Sequence, residues 1–242
     1  MFERKKYNQS DYLFLTKLFQ VSENYNDMIK AINKYIELNP KLTKEEKKLF
    51  CIGYKNIISN KRNSFQILLN LLSKEDPKQA NKVNEISKIK EKVLSELKPI
   101  LQEGLSILDG YLIPNAEDNE SKILYMKLKA DFYRYRCEFS EGEEFEEAAN
   151  NSRKLYKEAF DLAEKELPLC NEIRLGLVLN YTVFEFDIME NKKEAYDMAL
   201  KYYNNSLKIL DDDENIIEYE NLLLIHEIKD NTDNWISEIE EE

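Results

Sequence analysis

Four charged side chains stand at helical spacing near the middle of the chain. Lys127, Asp131, Arg134 and Glu138 follow one another at intervals of four, three and four residues. At about 100° per residue, this spacing places them on one face of a helix, with Tyr135 beside them. An Arg side chain presents a planar set of donors that matches the oxygens of a phosphate group. Taken alone, the stripe is more typical of a solvent-exposed row of ion pairs, and the alternative is a buried helix whose charged face meets a polar partner.

A second basic pair precedes this segment by more than sixty residues. Lys55 and Arg62 are seven positions apart, so two helical turns bring both charges onto one face. Such a pair is weak evidence by itself, because most pairs of this kind are solvated surface residues. A Lys offers a compact charge, which differs from the planar set of donors of an Arg.

The elements that must position these residues are predicted to be helices throughout. The 242-residue chain contains only five Gly and five Pro, so turn signals are rare. We therefore expect an all-α fold of about nine helices, mostly antiparallel because their connections are short. The expected helices cover 10–23, 25–38, 44–75, 79–111, a segment from 121 on, 144–166, 171–189, 192–210 and 215–235.

Local signals set several of these boundaries. Ser10 is a candidate N-cap of the first helix, and Thr43 opens a capping box before the third. Pro77 is expected to end the third helix, and Pro99 to kink or locally break the fourth. Gly142 is expected at a helix C-cap or a turn.

The composition excludes several classes of function. Lys and Arg number 35 against 47 Asp and Glu, which gives a net charge of −12 and disfavours nucleic acids and anionic membranes as partners. Three scattered Cys and a single His support neither a disulfide framework nor a metal site, and no cofactor is expected. We find no catalytic constellation and no apolar run near the roughly 18 residues of a membrane span. The expected location is the cytoplasm, with the nucleus as a further compartment.

Three segments carry a family resemblance. Ser121–Tyr135, S-K-I-L-Y-M-K-L-K-A-D-F-Y-R-Y, resembles the central motif of the 14-3-3 family of phosphopeptide-binding adaptors. Gly53–Phe65, G-Y-K-N-I-I-S-N-K-R-N-S-F, resembles the family segment that bears its first basic pair. Ile173–Asp187 resembles a third characteristic segment. The resemblance spans nearly the whole chain and implies a cup-shaped, dimeric, non-enzymatic adaptor that binds phosphoserine or phosphothreonine segments of client proteins.

The resemblance also implies roles for individual residues. Lys55, Arg62, Arg134 and Tyr135 match four phosphate ligands. Asn180 and Asn231 match two residues that bind the backbone of an extended peptide. The implied groove-lining residues are Lys127, Leu179, Val183, Asp187, Leu223, Leu224 and Trp235.

Two of these positions have plainer alternatives. Asn180 lies one turn after Gly176, and both fit tight helix packing around a buried, satisfied amide. Trp235 taken alone is more typical of a core residue.

Several positions depart from the family pattern. Gln66 stands where the family usually carries another Arg, which weakens the positive side of the groove. Glu227 and Asn234 align with apolar wall residues, and Glu227 would disfavour an acidic ligand. These departures support an alternative function, a helical scaffold of the same fold that binds unphosphorylated partners through a diverged groove.

The implied dimer interface is likewise a mixture. In the family, N-terminal helices of one subunit pack on the fourth helix of the other, and an Asp27–Lys92 pair would be retained. Asn24 replaces the Arg expected opposite Glu96, and Ile89 replaces a Tyr. Apolar side chains are expected to contribute more than these ion pairs do, among them Leu13 and Phe14. We expect a homodimer, with a heterodimer of paralogues as an alternative.

The expected domain organisation follows the resemblance. A single 14-3-3-like helical domain covers 1–236. Its first part, about 1–112, carries dimerisation and the start of the groove, and 120–236 carries the rest. The acidic end, 237–242, is expected to be a flexible tail.

Overall fold

The structure, a computed structural model, describes residues 7–76, 78–212 and 219–240. These residues contain nine α-helices and a π-helical turn, and no strand. The chain forms two compact units, Met1–Ala116 and Glu117–Glu242. No helix in the described ranges is long and apolar enough to cross a lipid bilayer. The all-α prediction is confirmed.

The first unit contains four α-helices and the π-helical turn, which pack consecutively. Their bounds are Gln9–Val21 (α1), Tyr25–Leu38 (α2), Lys44–Lys74 (α3) and Ala80–Ile107 (α4), with the turn at Leu108–Leu112. Buried apolar side chains from α2, α3 and α4 form its core, including Met28, Ile32, Phe50, Ile57, Leu97 and Leu101.

The second unit contains the other five helices. Their bounds are Asn119–Cys137 (α5), Gly142–Glu166 (α6), Glu172–Asp187 (α7), Lys192–Asp212 (α8) and Tyr219–Glu240 (α9). One core cluster lies among α5, α6 and α7 around Tyr156 and Phe184, and another lies among α7, α8 and α9 around Phe186 and Trp235. Helix α7 contributes to both clusters, so its position is fixed from two sides.

Helix caps account for several of these boundaries. The capping box at Thr43 is confirmed: its Oγ1 accepts from the Glu46 N–H, and the Glu46 carboxylate accepts from the Thr43 N–H at 2.8 Å. The expected cap at Ser10 is wrong, because Asn8 caps α1 in a capping box with Asp11. Ser10 lies inside the helix, where its hydroxyl donates to the Asn8 Oδ1 at 2.8 Å.

Three other boundary predictions have different outcomes. Helix α4 runs through Pro99 without interruption, so the expected break is wrong. Gly142 has φ +56° and begins α6 instead of ending α5. Pro77 lies outside the described residues, and α3 ends before it, at Lys74. Helix α9 continues through Glu240, so 237–240 are helical, while the remainder of the expected tail lies outside the described residues.

Candidate functional site

Arg134 is a largely buried cation in the second unit. Its side chain is 11% exposed on the last turn of α5. The guanidinium Nε donates to the Tyr156 hydroxyl at 3.3 Å, while Nη1 lies 4.0 Å from a carboxylate oxygen of Glu138. The guanidinium carbon also lies 4.6 Å from the centre of the Tyr135 ring. These contacts restrain the side chain in one position.

The surroundings keep Arg134 charged. Burial by itself would lower the pKa of the guanidinium, but Tyr156, Tyr135 and Asp131 together raise that pKa above its ordinary value. The side chain is therefore a permanent positive charge within a partly dehydrated environment. A charge in such surroundings interacts more strongly with an anion than the same charge in open solvent does.

Asp131, one turn earlier on α5, receives three donors. Lys127 Nζ donates to its Oδ2 at 3.0 Å. Asn180 Nδ2 donates to its Oδ1 at 2.8 Å, and the Tyr156 hydroxyl donates to the same oxygen. The carboxylate is 5% exposed. It therefore links α5, α6 and α7 and partly neutralises the cations around it. The charged face is a buried network, and its interpretation as a solvent-exposed row of ion pairs is wrong.

Gly176 on α7 lies against the stem of Lys127. A Cβ atom at Gly176 would lie 3.6 Å from the Lys127 Cε, an ordinary van der Waals distance to the end of a flexible side chain, and it would meet no atom of a neighbouring helix backbone. The alternative of tight helix–helix packing at this glycine is therefore wrong.

Helices α7 and α9 present an apolar surface beside this network. Leu179, Val183 and Leu224 are partly buried and pack against the α7–α8–α9 cluster. Leu223 is exposed. Trp235 is only 6% exposed, and its ring stacks on Phe186 with centres 4.3 Å apart. Trp235 is thus a core residue, the alternative that the sequence left open, and its groove-lining role stays a prediction.

The polar positions of α9 lie at the surface. Asn231 is partly buried, whereas Glu227 and Asn234 are exposed. Glu227 and Asn234, the two departures from the family pattern on α9, therefore place no polar group in the core. They place a negative charge and an amide within one turn of Asn231 on either side.

Asp187 ends α7 in acidic surroundings. Partial burial raises the pKa of its carboxyl, Arg134 opposes that increase, and Glu238 and Glu138 add to it. Asp187 is thus close enough to interact electrostatically with Arg134 and with Glu238 of α9. It moderates the positive potential at this end of the network.

The first unit carries the other two predicted phosphate ligands. Lys55 is exposed and Arg62 is partly buried, both on α3. Gln66, one turn after Arg62, is also exposed. Helix α3 packs closely against α2 at Gly53, where a Cβ would lie only 3.1 Å from the Ile29 Cγ2. Lys55 and Arg62 follow this contact on the same helix.

The predicted interface residues lie on α1, α2 and α4. Phe14 is 66% exposed and Leu13 is partly buried. Asp27 accepts from the Asn24 side chain at 3.0 Å and pairs with Lys30 at 3.2 Å. Lys92 is exposed on α4, and its role in the interface stays a prediction.

A contact within the chain alters the ion-pair prediction. Glu96 pairs with Lys61 of α3, so it has a cation within its own chain. The pair lowers the pKa of the Glu96 carboxyl, chiefly through the hydrogen bond from Lys61. Although position 24 is Asn instead of the expected Arg, Glu96 still has a cationic partner, Lys61.

Tyr156 was missed at the level of sequence. The segment around it shows little family resemblance, and Tyr is common in cores. A usable signal was present, since Ser152, Tyr156, Ala159 and Ala163 are spaced as the buried stripe of a helix, and all four are buried. In the described parts of the chain, no cluster of His, Cys, Asp and Glu could hold a metal ion.

The fold and this network define a class, namely all-helical proteins with a buried cation set in a polar network. Comparison with known proteins gives the family. The model of the 14-3-3 protein family matches residues 15–236. The chain is 35% identical over 237 residues to the 14-3-3-like protein C of Glycine max, covering 97% of this chain and 91% of that protein.

Two fungal proteins are similarly related. The checkpoint signal transducer rad25 of Schizosaccharomyces pombe is 35% identical over 229 residues, covering 94% of this chain and 85% of its own. The protein BMH2 of Saccharomyces cerevisiae is 34% identical over 235 residues, covering 96% and 86%.

The chain belongs to the 14-3-3 family. Members of this family are phosphopeptide-binding adaptors that act as dimers, and they are not enzymes. The alternative of a scaffold for unphosphorylated partners is not favoured.

Proposed function

We propose that this adaptor binds a phosphorylated Ser or Thr of a client through Lys55, Arg62, Arg134 and Tyr135. The observation that carries the proposal is the buried, permanently charged guanidinium of Arg134, whose Nη atoms have no close hydrogen-bond acceptor among the described residues. A phosphoryl group brings close to two negative charges and three acceptor oxygens. It would supply hydrogen-bond acceptors for the Nη atoms of Arg134. Lys55 and Arg62 on α3 would add positive charge.

The peptide around the phosphate would be held by its backbone. Asn180 and Asn231 each offer a side-chain amide, which can both donate to a carbonyl and accept from an N–H. Leu179, Val183, Leu223 and Leu224 would contact apolar side chains of the client, with Lys127 and Asp187 beside them. Trp235 would support this wall from behind, since it lies in the core beneath it.

The active form would be a homodimer in which each subunit binds one phosphorylated segment. Helix α1 supports this assembly, because its exposed apolar residues Phe14, Leu18 and Val21 have no partner surface in the described chain. Asp27 and Lys92 would add an ion pair across the interface. Two linked sites raise the effective concentration of the second binding event. A heterodimer with a paralogue would use the same surface.

We place the protein in the cytoplasm, and in the nucleus where its clients are nuclear. Its three cysteines, Cys51, Cys137 and Cys170, form no disulfide, which suits a reducing compartment.

The decisive experiment is a fluorescence-anisotropy titration with one peptide in two forms. One form contains Arg-Ser-x-phosphoSer-x-Pro, and the other has plain Ser. We expect saturable binding of the phosphorylated form only. Arg134→Ala should weaken that binding at least about a hundredfold, since it removes charge-assisted hydrogen bonds. Equal binding of both peptides would contradict the proposal.

Matched variants separate the phosphate site from general loss of charge. Arg136→Ala removes a partly buried Arg from the same helix turn, one that faces Glu144 at 3.7 Å, and it should leave the affinity within about twofold. Lys55→Ala and Arg62→Ala should each weaken binding, whereas exposed Lys44→Ala should not. Unchanged affinity in both α3 variants would remove these residues from the site.

A further inference from the structure

Tyr156 is a fully buried aromatic residue whose hydroxyl touches the phosphate site. Its ring lies in the α5–α6–α7 core, stacked on Tyr181 at 5.5 Å and tilted against Phe184 at 5.4 Å between ring centres. Its oxygen contacts both Asp131 and Arg134. A core tyrosine usually needs a single partner for its hydroxyl. This one has two, and they carry opposite charges.

The direction of these hydrogen bonds is fixed by chemistry. The Asp131 carboxylate can only accept, so the Tyr156 O–H must donate to its Oδ1. The hydroxyl oxygen is then free to accept from the Arg134 Nε–H at 3.3 Å. Burial, reinforced by Asp131, raises the pKa of Tyr156 well above its ordinary value, so the hydroxyl keeps its proton.

This arrangement determines which edge of Arg134 can meet a ligand. The guanidinium has a donor edge made of Nε and one Nη, and another made of both Nη atoms. Tyr156 occupies Nε, and Glu138 stays 4.0 Å from Nη1. Only the edge formed by the two Nη atoms is left for bidentate contact with phosphate.

We propose that Tyr156 is a positioning residue for phosphate recognition, whose hydroxyl holds the Arg134 guanidinium so that its two Nη atoms face the ligand. The inference rests on the proposed phosphate site and adds to it a residue that never touches the ligand. The hydroxyl acts through a shared atom as well, because Asp131 Oδ1 also accepts from Asn180. Tyr156 thus contacts Arg134, which is proposed to bind phosphate. It also contacts Asp131, which orients Asn180, the residue proposed to bind the peptide backbone.

The test compares two tyrosines from one stacked pair. Tyr156→Phe removes only the hydroxyl and keeps the ring. Tyr181→Phe is the matched control, since its ring stacks on Tyr156 while the charged groups that shift the pKa of its hydroxyl are Glu185, Arg153 and Asp161. We expect Tyr156→Phe to weaken binding of the phosphorylated peptide about tenfold, the value of one hydrogen bond to a charged group. Tyr181→Phe should stay within about twofold. Thermal unfolding followed by circular dichroism checks that both variants fold.

A second background separates positioning from general loosening. Arg134→Lys keeps the positive charge but has no Nε–H for Tyr156 to hold. On that background, Tyr156→Phe should change the affinity by less than about twofold. A further tenfold loss there, or an unchanged affinity of Tyr156→Phe on the wild-type background, would overturn the inference.

The two levels of the proposal fail differently. If wild-type protein binds both peptide forms alike, the phosphate site itself is wrong and the positioning role falls with it. If wild type discriminates, and Arg134→Lys weakens binding while Tyr156→Phe does not, only the positioning role is wrong. Should Tyr156→Phe not fold, a crystal structure of the wild-type protein with the phosphorylated peptide decides, because the inference requires the Arg134 Nε to stay on the Tyr156 hydroxyl and both Nη atoms to meet the phosphate. A phosphate bound through Nε would overturn it.

Discussion

The side-chain amide of Asn180 on α7 donates to Oδ1 of Asp131 on α5 at 2.8 Å. Because a carboxylate accepts hydrogen bonds and does not donate them, the nitrogen of this amide must face Asp131. The amide oxygen and the second N–H then point elsewhere. One donor and one acceptor are what an extended peptide backbone requires. Asp131 therefore prepares Asn180 for the role proposed for it.

The first prediction concerns this contact. Asn180→Asp would place two carboxylates within hydrogen-bonding distance, where they repel. We expect a loss of about 2 kcal/mol in the free energy of unfolding at pH 7. Urea titrations at pH 7 and pH 5 should show a smaller deficit at the lower pH, because protonation of one carboxyl relieves the repulsion.

Asn151→Asp is the control for Asn180→Asp, since it adds the same charge on α6, where its amide bonds only to the backbone oxygen of Glu147. Phosphopeptide affinity should fall at least about tenfold in Asn180→Asp. An equal effect in both variants would show that net charge matters and this contact does not.

The second prediction concerns two helical glycines. Gly176→Ala should raise the free energy of unfolding by up to about 1 kcal/mol, because the new methyl group meets only the Lys127 stem at 3.6 Å. Gly53→Ala should gain clearly less, because its Cβ would crowd the Ile29 Cγ2 at 3.1 Å. Urea denaturation of the two variants provides the comparison. An equal gain in the free energy of unfolding would mean that Ile29 on α2 moves easily to make room for the new methyl group on α3.

Local sequence signals were sufficient for most of the helices. The range predicted for α2, 25–38, matches Tyr25–Leu38, and the Thr43 capping box begins α3 as expected. The prediction of Ser10 as the N-cap was wrong because Asn8, two residues earlier, can also cap the helix. Only Asn8 has an acidic residue, Asp11, at the third helical position. Gly142 failed because its positive φ serves the start of a helix instead of the end of one.

Contacts within the site could be predicted only where both residues lie on the same helix. Lys127 and Asp131 are four residues apart on α5, so their pairing follows from periodicity. Tyr156 contacts Arg134 across 22 residues, and Lys61 reaches Glu96 across 35. Such contacts depend on how helices pack, which composition and spacing do not encode. The family resemblance named ligands, but it did not name the residues that hold those ligands in place.

The third prediction concerns assembly. Phe14→Glu places a charge on the exposed apolar face of α1 and should raise the dissociation constant of the dimer at least about thirtyfold. Leu38→Glu is the matched control, because Leu38 is comparably exposed at the end of α2. Sedimentation velocity at micromolar concentration should show monomers only for Phe14→Glu. A wild-type protein that sediments as a monomer would exclude the proposed homodimer.

The fourth prediction concerns ligand preference. Glu227 is exposed one turn from Asn231, so it should favour basic over acidic side chains near the bound backbone. In a series of phosphopeptides that carry Lys or Glu at one flanking position at a time, we expect a difference of up to about fivefold at one position. Added salt should reduce that difference.

Glu227→Gln should abolish the preference for Lys, whereas Glu166→Gln, at the exposed end of α6, should retain it. A preference that survives in Glu227→Gln must come from another carboxylate.

Trp235 has a consequence beyond packing, because it is the only tryptophan in the chain. Its indole lies on Phe186, in the cluster against which Leu179, Val183 and Leu224 pack. Its intrinsic emission therefore comes from a single known place, the junction of α7 with α9. The protein contains its own optical reporter of that junction, and spectral shifts during ligand titration or unfolding can be attributed to it without any added dye.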